Sequence, residues 1–511
     1  MDGSSEDGSD ESLAKILSGG ILVSGSKIIA LGFGFLTQIV MARLLTQTAY
    51  GEVVLALAVL NISGLIATLG LDDGLMQQFP KYEDDRKKAR GVVRAGFVIS
   101  IVSGCITGGM IFLSAPIIAQ HVFNESAITP LIRIASAGVP FIVIKNNAVA
   151  LARGTRDAKT HAIVNQLVQP SSRMLLIGGL VLGGFEAGGA VAGQTGSAII
   201  AGLIAIVLSL RFLPRIRGPS VRMYRSVLTF SIPLIAMQGM GFLNSNIDIY
   251  MLGYFLESSR VGNYNIALQL GNLMTAVVAT ISFLLPPVLT RLNEEEKYQE
   301  MLSTYQGLTK WVVMISIPIF TVLFFAPDIV INLLFGKEYS DGTLALRIIA
   351  GGKMFAMIAG FNGITLVALG DSRIASYRVF VEVIVNIAAN YILIPIFGIT
   401  GGALALSISS VIGDIFGMSI VYYKYRLHPI DKYIIKPAGI IGAASVVGWG
   451  TALLTGLPVW TTILLVGLIY PVVIVRFALE QRDEKLLLLF EDRIGMELTP
   501  VRMILNRIQK D

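Results

Sequence analysis

The 511 residues are 54% hydrophobic and only 14% charged, with a mean hydropathy of +0.71. A soluble globular chain is about a quarter charged, so composition excludes that class and indicates a polytopic membrane protein. The net charge of +6 does not point to nucleic acid, because the Lys and Arg fall in short clusters between apolar runs, as in cytoplasmic loops. The single cysteine, Cys105, and the scattered His121, His161 and His428 offer neither a disulfide framework nor zinc-ligand spacing, so no metal or cofactor is expected.

The chain opens on MDGSSEDGSDES, which is acidic and lacks the positive n-region of a signal peptide; residues 1–15 read as a disordered tail. A membrane span needs about 20 mostly apolar residues. By that rule there are fourteen, near 17–42, 50–79, 92–120, 130–152, 161–184, 188–212, 227–255, 262–290, 308–335, 344–369, 374–397, 401–425, 433–455 and 459–479. Lys81, Arg86, Lys87, Lys88, Arg90 and Arg94 follow the second span, Arg153, Arg156 and Lys159 the fourth, and Arg211, Arg215, Arg217, Arg222 and Arg225 the sixth. The alternate loops 184–188 and 397–400 carry no Lys or Arg, so the positive-inside rule puts both termini in the cytoplasm of a cell-membrane protein. After the last span, Thr499 and Pro500 form an N-cap and first-turn pair, and Val501, Ile504 and Ile508 follow at helical spacing. Residues 481–511 thus read either as a cytoplasmic amphipathic tail on the membrane surface or as a solvated tail packed on a loop.

The two halves repeat. APIIAQHVF at 115–123 returns as APDIVINLLF at 326–335, LIRIA at 131–135 as LRIIA at 346–350, and GGA at 188–190 as GGA at 401–403. AYGEVVLALAVLN at 49–61 aligns with RVGNYNIALQLGN at 260–272, again at an offset of 211. Ordered matches at offsets of 211 to 215 indicate a duplicated six-helix unit, and an even helix number makes the repeats parallel. The expected organisation is an all-α membrane protein with an N-lobe over 16–220 and a C-lobe over 221–428. These lobes would flank a central cleft, and two extra spans would occupy 429–480.

This plan, with NIDIYMLGYFLESSRVGNYNIALQL opening the second half and FAPDIVINLLFGKEYSDGTLALRIIA across the ninth and tenth spans, resembles the polysaccharide biosynthesis proteins. These are Wzx-type flippases of the multidrug, oligosaccharidyl-lipid and polysaccharide exporter superfamily. The resemblance covers about residues 17–480. It implies a transporter rather than an enzyme, moving a polyprenyl- or dolichyl-phosphate-linked oligosaccharide to the outer leaflet, with membrane lipids and glycan-assembly enzymes as its neighbours and no nucleic acid.

Such a substrate joins an anionic phosphate to a hydroxyl-rich glycan, so its path calls for buried cations and for amides. Lys145, Arg173 and Lys353 lie mid-span. His161, Asn165, Gln169 and Arg173 recur every four residues on one helical face, and Glu382, Asn386 and Asn390 do so on the equivalent helix. Asn265, Gln269 and Asn272 share a face of the eighth span. In NSNIDIYMLGYF, Asn244 and Asp248 share one side of the seventh span and Asn246 faces nearly opposite. Asp248, Glu382 and Asp414 suit either ion coupling or neutralisation of a buried cation. Each residue also has a plainer reading, since a membrane Lys can snorkel and an Asn can join helices. Arg43, Arg133 and Arg347 lie nearer span ends, and Asp72 and Asp73 suit an interfacial cap or a loop salt bridge. The rivals are a cation-coupled multidrug exporter, which the mid-span cations oppose, and a polytopic glycosyltransferase, which the short outer loops oppose.

Overall fold

The computed structural model describes residues 26–27, 29–82, 84–155, 157–209, 218–282, 285–480 and 483. The acidic tail 1–15, the amphipathic tail from 484 onward, and Arg156, Arg211, Arg215 and Arg217 lie outside the described residues. Every regular element among the described residues is helical, and the chain divides into two compact units between Asn265 and Ile266.

In the first unit α1 covers Ile29–Leu44. It is followed by α2 (Gln47–Thr68), α3 (Leu71–Gln78), α4 (Arg86–Ile117), α5 (Thr129–Ser136), α6 (Val139–Gly154), α7 (Ala158–His161), α8 (Gln169–Leu180), α9 (Glu186–Ser209) and α10 (Tyr224–Phe255). The Thr46 hydroxyl caps α2 by accepting the Ala49 N–H. The helix stops at Leu69 and Gly70, both left-handed with φ of 52° and 67°. A Cβ at Gly70 would fall 2.4 Å from the Ser231 carbonyl oxygen, so only glycine lets the α10 backbone come this close. Beyond the break, Leu71 and Leu75 of α3 pack with Val92 of α4, Leu151 of α6 and Val227 of α10. Thus α10, which the repeat pattern assigns to the second half, packs in the first unit against α2, α3 and α4.

Helix α11 (Ser258–Ile281) is followed in the second unit by α12 (Leu285–Glu294), α13 (Tyr298–Phe325), α14 (Pro327–Leu334), α15 (Thr343–Ala359), α16 (Asn362–Ala368), α17 (Ser372–Phe397), α18 (Ile399–Tyr425), α19 (Lys432–Thr455) and α20 (Trp460–Val473). Helices α17 and α18 form a tight hairpin turned at Gly398, whose φ is 59°. Helices α19 and α20 pack on α13, where the Tyr470 hydroxyl donates to the Met314 carbonyl at 2.7 Å.

Ten described segments are long and apolar enough to cross a membrane, or eleven if the bent pair α5 and α6 is one span. One of them, Lys159–Ser209, is 51 residues long. At 1.5 Å per residue it would reach about 76 Å, more than twice the bilayer core. It breaks at Gly184 and Glu186, with φ of 87° and 43°, which divides it into two crossings. A count of fourteen also requires α1 and α11, and α11 is made more polar by Asn263, Asn265, Gln269 and Asn272. Leu113, Leu175 and Leu454 are exposed, as suits side chains that lipid would cover.

Two of the ion-pair clusters in the second unit involve its last described residues and the start of α17. Lys310 on α13 is 1% exposed and donates to the Ala478 carbonyl at 2.8 Å, to Glu480 Oε1 at 2.8 Å, and to Asp483 Oδ1 and Oδ2 at 2.6 and 2.8 Å. Trp311 Nε1 also donates to Asp483 Oδ1, at 2.9 Å. Burial pushes the Glu480 carboxyl above its ordinary pKa and Lys310 pulls it back. The second cluster is more exposed: Asp371, just before α17, accepts from Lys424 Nζ at 2.5 and 2.6 Å and from the Tyr425 hydroxyl at 2.5 Å.

The Lys424 and Tyr425 donors hold the Asp371 carboxyl below its usual pKa. The stability this contributes is present above the unfolded carboxylate value, about 3.9, and is lost as pH falls through the lowered one. Asp371→Asn is expected to lower the thermal midpoint slightly at neutral pH, with the gap to the parent protein closing below about pH 4. Thermal unfolding in detergent at the two pH values checks this; a gap that persists in acid would contradict it.

Candidate functional site

In the first unit the polar side chains gather on α6 and α8. Lys145 is 8% exposed and donates to Gln169 Oε1 at 2.8 Å, so a neutral amide, not a carboxylate, holds it. Gln169 opens α8 after a π-type segment, Ala162–Val168. One turn further along the same face stands Arg173, whose buried Nε has no acceptor. Among the described residues no carboxylate pairs with either cation. A Cβ at Gly34 would lie 3.2 Å from Arg173 Nη2, so α1 comes close to the guanidinium. His161 and Asn165 continue the stripe, with Nδ1 and Nδ2 3.4 Å apart. The structure therefore adds Lys145 to the α7–α8 face and gives Gln169 a cation to hold.

The other polar groups expected in this unit are largely engaged in packing. Asn265 Nδ2 donates to the Tyr50 hydroxyl at 2.7 Å, and that hydroxyl donates to Gln38 Oε1 at 2.8 Å. Asp248 is 2% exposed and lies beside Tyr264. Asn246 bonds the Phe242 carbonyl of its own α10 at 2.9 Å. Asn244 is half-buried on the same helix. Asp72 and Asp73 sit at the start of α3, where Gln238 Nε2 donates to both carboxylates, at 2.7 and 2.9 Å. That amide stands where one of the two expected readings, a loop salt bridge, would have placed a cation.

The second unit encloses a cavity of 360 Å³ whose lining includes Thr275, Ser282, Phe361, Asn362, Arg378 and Asp414. Gly360, with φ of 78° and ψ of −162°, separates α15 from α16 at its wall. Arg378 Nη1 lies 3.1 Å from Asp414 Oδ1 and 3.4 Å from Glu382 Oε2. Asn362 Nδ2 donates to Asp414 Oδ1 at 3.1 Å, and Ser410 Oγ to Glu382 Oε1 at 3.3 Å. Lys353 adds positive potential at Asp414. Asn386 donates to Ser409 Oγ at 3.1 Å and so joins α17 to α18, while Asn390 donates to Asn386 Oδ1 at 2.6 Å within α17. Gln269 and Asn272 are half-buried on α11. Sequence reading missed Arg378 and Asn362. The stripe at 382, 386 and 390 extends back to 378 at the same four-residue spacing, and that was the signal available for Arg378.

Apolar helices carrying buried ionic and amide clusters define an all-α, multi-pass membrane protein. The profile of the family described as polysaccharide biosynthesis protein matches residues 40–343, more than half of the chain, and the chain belongs to that family. It is 24% identical over 264 residues to the probable low-salt glycan biosynthesis flippase Agl15 of Haloferax volcanii, a match covering 49% of this chain and 56% of that one. The chain spans about half the length of the curated relatives it matches. Its fold is shared with the lipid II flippase MurJ in an inward closed conformation, at a TM-score of 0.66 and 16% identity over 89% of this chain and 98% of that one. An inward-facing multidrug resistance MATE family transporter of the MOP superfamily has the same fold, at a TM-score of 0.64 and 16% identity over 81% of this chain and 98% of that one.

Proposed function

We propose that the protein is a flippase that moves a lipid-linked oligosaccharide, on a polyprenyl or dolichyl phosphate, across the cell membrane for surface polysaccharide or glycoprotein assembly. Both termini would face the cytoplasm, close to the enzymes that build the glycan. The observation that carries this reading is the pair Lys145 and Arg173, two cations within apolar helices with no carboxylate partner among the described residues. A buried charge is costly unless something compensates it, and a phosphate group would do so with charge-assisted hydrogen bonds. Family membership and the flippase named among the relatives point the same way. The exporter alternative calls for an unoccupied acidic pocket, whereas Asp414 and Glu382 are engaged by Arg378.

The test is to delete the gene and profile lipid-linked and surface glycans together by mass spectrometry, then complement with variants. Deletion should accumulate the lipid-linked oligosaccharide and remove the surface glycan. Lys145→Met and Arg173→Gln should each lower export about tenfold or more, the value of one charge-assisted hydrogen bond, with the protein still in the membrane. Unchanged export in both variants would refute a cationic phosphate seat.

A further inference from the structure

The 360 Å³ cavity of the second unit lies at the small end of ligand pockets, which run to about 1,000 Å³. The charged residues of its lining balance, Arg378 against Asp414 at 3.1 Å. An added anion would meet Asp414 and an added cation would meet Arg378, each unfavourable where the dielectric is low. Among the described residues, the charged pair leaves open an acceptor and a donor. Asp414 Oδ1 accepts from both Asn362 and Arg378, while Oδ2 takes no hydrogen bond among the described residues. Arg378 Nε is buried with no acceptor, and Gly363 leaves room beside it, since a Cβ there would lie 3.5 Å away.

A hydroxyl donates and accepts at once, so it can give its proton to Asp414 Oδ2 and take that of Arg378 Nε; a phosphate oxygen only accepts, and a metal ion does neither. The hydroxyls of Thr275 and Ser282 already donate to the Asn272 and Val278 carbonyls, at 2.7 and 2.6 Å, which leaves their lone pairs to accept further hydroxyls. Phe361 supplies an apolar wall. We propose that this cavity binds a neutral sugar unit through its hydroxyls, a site distinct from the phosphate seat on α6 and α8. That the sugar belongs to the transported glycan rests on the flippase reading.

Two measurements test this. In the first, the purified full chain in detergent is unfolded thermally with neutral oligosaccharide released from the host glycan, with sodium diphosphate, or with sodium chloride at matched ionic strength. The neutral sugar should raise the midpoint and Asp414→Asn should abolish the rise; no rise, or a rise with diphosphate or sodium alone, overturns the proposal. In the second, a photoreactive benzophenone side chain replaces Val278 in cells, and the adduct is weighed after irradiation. A sugar-bearing adduct that retains the carrier lipid identifies the lipid-linked glycan, and one without it identifies a free sugar. An export-competent variant with no sugar adduct overturns the cavity site and leaves the flippase reading intact. A sugar adduct in a host whose surface glycan survives deletion of the gene overturns the flippase reading alone.

Discussion

Lys310→Met is expected to cost about 3–5 kcal/mol of stability, the range for removing one partner from a buried ion pair. Glu480 and Asp483 would keep their buried positions without the ammonium that both of them face. The double variant Lys310→Met with Asp483→Leu should recover part of the loss, because apolar replacement of a buried pair is often near neutral. Denaturant unfolding of the full chain in micelles, read beside protease cleavage around residue 479, checks both statements. A Lys310→Met protein that unfolds like its parent would show that the cluster carries no net stability.

Arg378→Met should be the other large effect, again about 3–5 kcal/mol, since Asp414 and Glu382 would lose the guanidinium nitrogen that both of them face. Arg378→Lys should recover only part of this, because a lysine stem would not hold its ammonium where the single nitrogen Nη1 meets both carboxylates. Pairing Arg378→Met with Asp414→Asn should be less damaging than the sum of the two single changes. The resulting double-mutant cycle measures the coupling directly. Strict additivity would mean that the 3.1 Å contact is incidental.

Hydropathy made most of the apolar spans legible, because a bilayer demands long apolar runs. The breaks were less legible. Leu69 and Gly70 sit inside what reads as one apolar span, and the helix stops there because Gly70 admits the α10 backbone, a contact with Ser231 that lies 161 positions further along the sequence. At the candidate site, four-residue spacing put His161, Asn165, Gln169 and Arg173 on one face, yet it could not say that Gln169 answers Lys145 on a different helix. The amides of Asn386 and Asn390 had the same periodicity, but Asn386 joins α17 to α18 and Asn390 bonds Asn386, since spacing fixes a face and not what the face meets. Lys310 was passed over for a similar reason: its partners lie beyond the last apolar run, where no periodicity links them to α13.

The Lys310 cluster also bears on how the chain is made. Asp483 comes 173 residues after Lys310, so at about 5–20 residues per second a ribosome supplies it roughly ten to thirty-five seconds after the lysine. During that interval α13 has emerged with its ammonium and neither carboxylate has yet been synthesised. Release of the nascent chain into lipid before the last two apolar helices arrive would therefore strand a lone positive charge, and a chain cut short ahead of Glu480 would carry that defect for good, which makes it recognisable to membrane quality control.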